Sequence, residues 1–240
     1  MSITTGNIKK IIIEENGPYR VEGDVPLVRK SQIVSEYGEP LTWQKDENLP
    51  TSGTYELCRC GQSSTKPFCD STHTTINFDG AETAVTQPTV ERQVTLGDGR
   101  RIVIKRDYAL CMEAGFCGNR LTDIERMAAD TDDPQVRGQI MAMIERCPSG
   151  SYTFAMQAGQ PDVEPDYPQQ VAVTTEMTSA GPIDGPLWVT GNIPVERSDG
   201  KPFETRNRVM LCGCGLSRAK PLCDGTHRHD QEEKLKKAKE

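Results

Sequence analysis

The 240-residue chain is lean in core-forming residues, 35% hydrophobic and 5% aromatic, with 21 glycines and 16 prolines, which argues against one large core and for two or more small, loop-rich modules. Its 35 acidic residues outnumber the 28 basic ones, for a net charge of -7, so a nucleic-acid backbone is repelled. Nine cysteines is an odd number; it argues against a disulfide framework and for metal or redox work in a reducing compartment.

The chain begins MSITTGNIKKIIIEENG, whose run of three isoleucines is far too short for a signal sequence or a membrane span. A cytoplasmic protein without membrane contact is expected. GPYRVEGDVPL, from Gly17, matches GPLWVTGNIPV, from Gly185. Each copy reads as a short alternating strand, a glycine turn, a second extended segment and then a cysteine-rich loop. The first copy is longer between its Gly-Pro and its first cysteine, and the extra stretch VSEYGEPLTWQKDENLP reads as a loop by its proline and glycine.

CRCGQSSTKPFCDSTH follows, with Cys58, Cys60, Cys69 and His73; CGCGLSRAKPLCDGTH repeats the spacing with Cys212, Cys214, Cys223 and His227. Three thiolates and one imidazole make one complete metal site per copy, and these donors suit zinc or iron-sulfur alike. The spacing favours iron-sulfur: C-x-C brings adjacent thiolates to one iron from a strand end. The third cysteine and the histidine, four apart, can rise from one helical turn onto a second iron. Pro67 and Pro221 stiffen the approach, and Asp70 and Asp224 are placed to cap the turn, aiming amides at an anionic cluster.

Between the copies, RQVTLGDGRRIVIKRDY reads as a hairpin turning at GDG. LTDIERMAAD and PQVRGQIMAMIERC have helical spacing, with Asp133 as N-cap and Pro134 at the first helical position. SYTFAMQ can return as a strand, GQPDVEPDYPQQ reads as linker, and the tail HDQEEKLKKAKE reads as a frayed end in preference to a short helix. Cys111, Cys117 and Cys147 form a third set, in CMEAGFC and RCPSG; buried cysteines that merely pack are the alternative.

The duplicated pattern C-x-C-x2-S-x3-P-x-C-D-x-T-H resembles the CDGSH iron-sulfur domain of the NEET family. The second copy reads CDGTH and the first departs with CDSTH. The resemblance covers 8–77 and 183–229 and implies a [2Fe-2S] cluster in each, held by Cys58, Cys60, Cys69 and His73 and by Cys212, Cys214, Cys223 and His227. In that family two such modules pair through a shared β framework, so the repeat here is expected to form an intramolecular pseudo-dimer and to act as a monomer. The middle segment, 90–160, resembles the divergent single-cluster ferredoxin-like domain that accompanies CDGSH domains. It has Glu113-Ala114-Gly115 where that domain commonly reads HAG, so Cys111, Cys117 and Cys147 can hold a [3Fe-4S] cluster, or a [4Fe-4S] cluster completed by Glu113, water or a partner.

The expected fold class is therefore α+β: two small mainly-β CDGSH-type modules plus a small ferredoxin-like α+β module. An imidazole in place of a thiolate removes one negative charge, raises the potential and gives acid a ligand to detach. The two sites are expected to differ, since Ser71 stands where its twin has Gly225 and the insertion before Cys58 offers the first site a different cover. Trp43 and Trp188 read as packing rather than relays, Lys66 and Lys220 as loop lysines or cluster donors, and His229 as solvent-facing. No nucleophile-base set, P-loop or dinucleotide fingerprint is present, so a carrier and not an enzyme is expected, its partner a redox protein or an apo iron-sulfur acceptor. The competing class is a zinc-stabilised interaction scaffold; a third is an enzyme subunit wired internally by clusters.

Overall fold

The computed structural model describes residues 8–98 and 100–238. In chain order the elements are β1 (Lys10–Ile13), β2 (Tyr19–Glu22), β3 (Leu27–Val34), β4 (Pro40–Leu49), β5 (Tyr55–Leu57), α1 (Thr72–Thr75), α2 (Thr89–Arg92), β6 (Val94–Leu96), β7 (Val103–Arg106), α3 (Ile124–Met127), α4 (Pro134–Arg146), β8 (Tyr152–Ala155), β9 (Gln170–Thr178), β10 (Gly181–Thr190), β11 (Val195–Glu196), β12 (Arg208–Leu211) and α5 (Thr226–Lys237). The class is α+β, with strands in three sheets ordered β11-β1-β2-β5, β12-β10-β9-β3-β4 and β6-β7-β8.

The first two sheets are built by exchange. β1, β2 and β5 of the first copy correspond to β9, β10 and β12 of the second, and the next strand of each copy crosses to the other sheet. β11 lies parallel to β1, pairing Ile11 with Val195, and β3 lies parallel to β9, pairing Leu27 with Val171. The joints match bond for bond: Ile11 N donates to Pro194 O and Val171 N to Pro26 O, both at 2.9 Å. Alternation drives this arrangement, because Ile11, Ile13, Tyr19, Val21 and Leu57 face one way and meet Val171, Leu187, Val189, Val209 and Leu211 in one shared core. Each such side chain contributes about 1.5–3 kcal/mol by burial, so neither copy closes its core alone. This is the expected pseudo-dimer, and the exchange that makes it was not read from the sequence.

The stretch expected to be a loop, 34–50, is instead the turn and outer strand of a hairpin, with β4 running antiparallel to β3. Its charged residues suit a sheet edge. The hairpin does not cover its own copy's cysteines: Val28 and Trp43 pack with Trp188, Phe116 and Cys223, on the second site. Trp43 and Trp188 sit 5.8 Å apart as packing residues, with Tyr167 of the linker edge-on to Trp188 at 5.4 Å.

The middle unit has its own core. β6 and β7 pair as expected around the turn, of which Gly99 lies outside the described residues; β8 completes the sheet. Asp133 caps α4 through Gln135 N, with Pro134 inside. An isolated helix of this length is marginal; burial of Ile140, Met143 and Ile144 against Ile102, Ile104 and Phe154 holds it. The tail is ordered helix to Lys237, not a frayed end. Gln231 Oε1 accepts from Asp184 N at 3.0 Å and Ser179 donates to Glu232 at 2.7 Å, tying α5 to the β9–β10 hairpin.

Candidate metal centres

In both repeats the donors hang from one backbone device. Cys58 directly follows β5 and Cys212 directly follows β12. Cys58 N donates to Pro67 O and Cys212 N to Pro221 O, each at 2.8 Å; Cys69 N returns to Glu56 O at 3.0 Å and Cys223 N to Met210 O at 2.9 Å. These bonds close the loop at its base and set first and third cysteines side by side. Asp70 Oδ2 accepts from Ser64 N at 2.8 Å while its Oδ1 accepts from Thr72 N at 3.0 Å; Asp224 does the same with Arg218 N and Thr226 N. The aspartates thus cross-brace the loop. The N-cap itself is Ser71 or Gly225, left-handed at φ 68 and 85. Cysteine and histidine therefore do not share a helical turn as expected: a reversed residue stands between them, and only the histidine is helical.

The resulting distances carry chemical information. Cys58 and Cys60 sulfurs are 3.8 Å apart and those of Cys212 and Cys214 are 3.7 Å apart; Cys69 Sγ is 3.3 Å from His73 Nδ1, and Cys223 Sγ is 3.4 Å from His227 Nδ1. A tetrahedral metal with sulfur at about 2.3 Å has an edge of about 3.8 Å, and a mixed sulfur-nitrogen edge is a little shorter. Each repeat thus presents two ready tetrahedral edges. Within each repeat the four side chains fall into two pairs, one of two thiols and one of a thiol with an imidazole.

Amides face the sulfurs: Ser71 N lies 3.4 Å from Cys69 Sγ and Leu216 N lies 3.5 Å from Cys214 Sγ. A hydrogen bond from Cys214, with backbone amides adding to it against burial, lowers the Cys212 thiol to about 6, while the same bond raises Cys214. Burial raises Cys60, Cys69 and Cys223. Metal binding at these sites therefore carries proton release, since thiols raised by burial must give up their protons to bind.

The two cysteine loops touch backbone to backbone. A Cβ on Gly61 would lie 2.3 Å from Cys214 O, and one on Gly215 would lie 2.6 Å from Cys60 O. Tyr19 Oη donates to Cys212 O at 2.8 Å across the same junction. A cleft opens beside it with Cys58 and Cys214 both on its wall, together with Arg29, Lys66 and Lys234; these cations face Glu47, Asp184 and Asp230 respectively. Lys66 thus pairs with a carboxylate and Lys220 with Ser217 O at 2.9 Å, neither with a metal donor.

Cys111 and Cys117, neighbours in one loop, and the distant Cys147 line one pocket with Glu113, Ser149 and Tyr152. Burial, and the proximity of Cys147 and Cys111, raise the Cys117 thiol. Glu113, at φ 61, carries Oε2 3.2 Å from Nε2 of the exposed His229. Arg208, buried in β12, donates from one guanidinium nitrogen to Ile144 O, Glu145 O and Cys147 O, each at 2.9 Å. It closes the α4 C-terminus and fixes Cys147 from the neighbouring module. Arg208→Met should cost about 2 kcal/mol through the uncompensated carbonyls and loosen the Cys147 pocket while sparing both repeats. Denaturant midpoints and the thiol reactivity of Cys147 check this.

The residue that sequence reasoning missed is Glu176 of β9, fully buried, with Oε1 3.2 Å from His227 Nε2 and Oε2 on Arg228. The available signal was phase: Ala172, Thr174 and Glu176 alternate on one buried face. No such partner reaches His73 Nε2 among the described residues.

The duplicated thiol-thiol and thiol-imidazole pairs, backed by amides, are an arrangement suited to holding metal in each repeat. The family model described as "Iron-binding zinc finger CDGSH type" matches residues 16–74 and 184–228. Over these two segments, each holding one cysteine-histidine loop, the chain is similar to CDGSH-type iron-binding domains, which points to an iron-sulfur protein. No curated protein matches the chain. Among the described residues no helix is long and apolar enough to cross a membrane.

Proposed function

We propose that each repeat holds one [2Fe-2S] cluster, with Cys58 and Cys60 on one iron and Cys69 and His73 on the other, and likewise Cys212 with Cys214 and Cys223 with His227. The observation that carries this reading is the arrangement of donors as two tetrahedral edges in each repeat. A cluster of this kind takes up and returns one electron at a time. The chain's own residues hold it, direct amides at its sulfurs and control its exposure. The protein acts as a monomeric cytoplasmic carrier and not as an enzyme, passing electrons or a cluster to a redox partner or an apo iron-sulfur acceptor.

The middle pocket gathers three thiolates, a set that suits a [3Fe-4S] cluster, or a [4Fe-4S] cluster whose fourth iron is completed by Glu113, water or a partner. That module is read as ferredoxin-like on the same grounds. Site exposure divides the work. Cys69 and His73 are partly exposed, whereas Cys223 and His227 are buried, so the first repeat is the better placed for cluster release and the second for retention.

Anaerobically prepared protein should contain four irons and four sulfides per chain from the two repeats, counted as two clusters of two, with more if the middle pocket fills. Visible charge-transfer bands should accompany them. Stoichiometric zinc in a colourless protein would instead establish the structural scaffold.

A further inference from the structure

Building on the two-cluster reading, we propose that Glu176 is a positioning residue that makes the second site the weaker electron acceptor, so that the first electron entering the chain settles on the first site.

The argument starts from which ring nitrogen is free. His227 Nδ1 faces Cys223 Sγ at 3.4 Å, and Nε2 faces Glu176 Oε1 at 3.2 Å. A carboxylate oxygen accepts, so Nε2 carries the proton and donates it, leaving the Nδ1 lone pair for a metal. A carboxylate behind a ligating imidazole fixes its tautomer and raises its basicity. A more basic ligand, with negative charge behind it, favours the oxidised form of the centre and lowers its potential. Side-chain exposure is 2% for His227 and 0% for Glu176, so water screens this interaction little. Arg228 pairs with the other oxygen.

The arrangement is built into the hairpin. In the first repeat β1 reaches β2 through a tight turn, Gly17 N donating to Glu14 O at 3.0 Å. In the second repeat β9 and β10 run on past the equivalent point, and Glu176 pairs there with Ile183. Gly185 leaves the room: a Cβ there would lie 3.2 Å from Glu176 Cγ. Among the described residues nothing comparable stands behind His73, whose ring is partly exposed. Solvent favours the more highly charged reduced state, so exposure raises the first site's potential as Glu176 lowers the second's.

The electrons balance as two separate one-electron steps, supplied in the test by dithionite through mediators. Protein shown by iron, sulfide and absorption to hold both clusters is titrated at fixed neutral pH, with each step followed by EPR. The two repeats should give two steps, each read from a [2Fe-2S] EPR signal distinct from that of any centre in the middle pocket. With one electron per chain the first site should hold it at least about tenfold more often, equivalent to ~59 mV for a one-electron couple. Glu176→Gln should move only the lower step upward, and Glu176→Asp should restore part of the difference. Arg228→Gln, which exposes His227 to an uncompensated carboxylate, should move the same step downward; this opposite sign keeps the test decisive if Glu176→Gln does not assemble. Coincident steps in the wild type, or substitutions that shift both steps or neither, overturn the proposal and leave the two-cluster reading intact. Absence of clusters overturns both.

Discussion

Gly61→Ala should destabilise the protein by about 2–4 kcal/mol and strip metal from both repeats together. The left-handed backbone, φ +76, costs a residue with a Cβ about 1 kcal/mol. The larger part is steric. The new methyl would sit 2.3 Å from Cys214 O, a backbone atom that cannot rotate away, and overpacking of this kind costs about 1–3 kcal/mol. Relief requires the two cysteine loops to separate, which moves Cys60 in one site and Cys214 in the other. Gly38→Ala is the control, since that glycine has φ +80 but nothing within 4 Å of a Cβ; it should cost about 1 kcal/mol and leave both sites loaded. Denaturant midpoints and metal content of the two variants, measured side by side, check the expectation. Equal effects would show that the loops can part without loss.

Gly225→Ser should destabilise the second site by about 2 kcal/mol, whereas Ser71→Gly should steady the first. Both positions are left-handed, so the serine in the first repeat carries a conformational penalty of about 1 kcal/mol that its twin avoids. The exchange is not symmetrical. At Gly225 a Cβ would also lie 3.1 Å from Met112 O and 3.1 Å from Glu113 Oε2, so serine there meets both its own backbone preference and the middle module. A change of 2 kcal/mol corresponds to a factor of about 30 in the equilibrium that opens the site. Metal loss from each site at mildly acidic pH should therefore speed strongly in Gly225→Ser and slow modestly in Ser71→Gly. Unchanged rates at both sites would remove any role for this turn.

The grouping of the cysteines and histidine in each repeat was legible because it is written locally. Cys58, Cys60, Cys69 and His73 lie within one loop, and the second copy repeats the spacing. The α4 start was legible for the same reason, since Asp133 and Pro134 act on their own neighbours. What depends on distant partners was not. The stretch 34–50 reads as loop because its proline, glycine and charges suit an edge strand equally well, and only pairing with β3 decides. α5 reads as a frayed tail because its helical tendency shows only once Gln231 and Glu232 find the β9–β10 hairpin. The insertion was assigned to the wrong site for a topological reason: a segment that leaves its own sheet covers the neighbour's cysteines. The asymmetry expected from Ser71 and Gly225 has its physical cause in the turn, where both residues take positive φ.

The exchanged strands set what the two halves are free to become. In an assembly of two identical chains, a change made on one side of a twofold interface is made on the other as well. Here the same joint, Ile11 with Val195 and Leu27 with Val171, is closed inside one polypeptide. Covalent linkage keeps it closed on dilution, because the partner's effective concentration is fixed by the chain and not by the solution. Each half can then carry substitutions its twin never sees. A single mutation can be confined to one half, which no homodimer of this architecture permits.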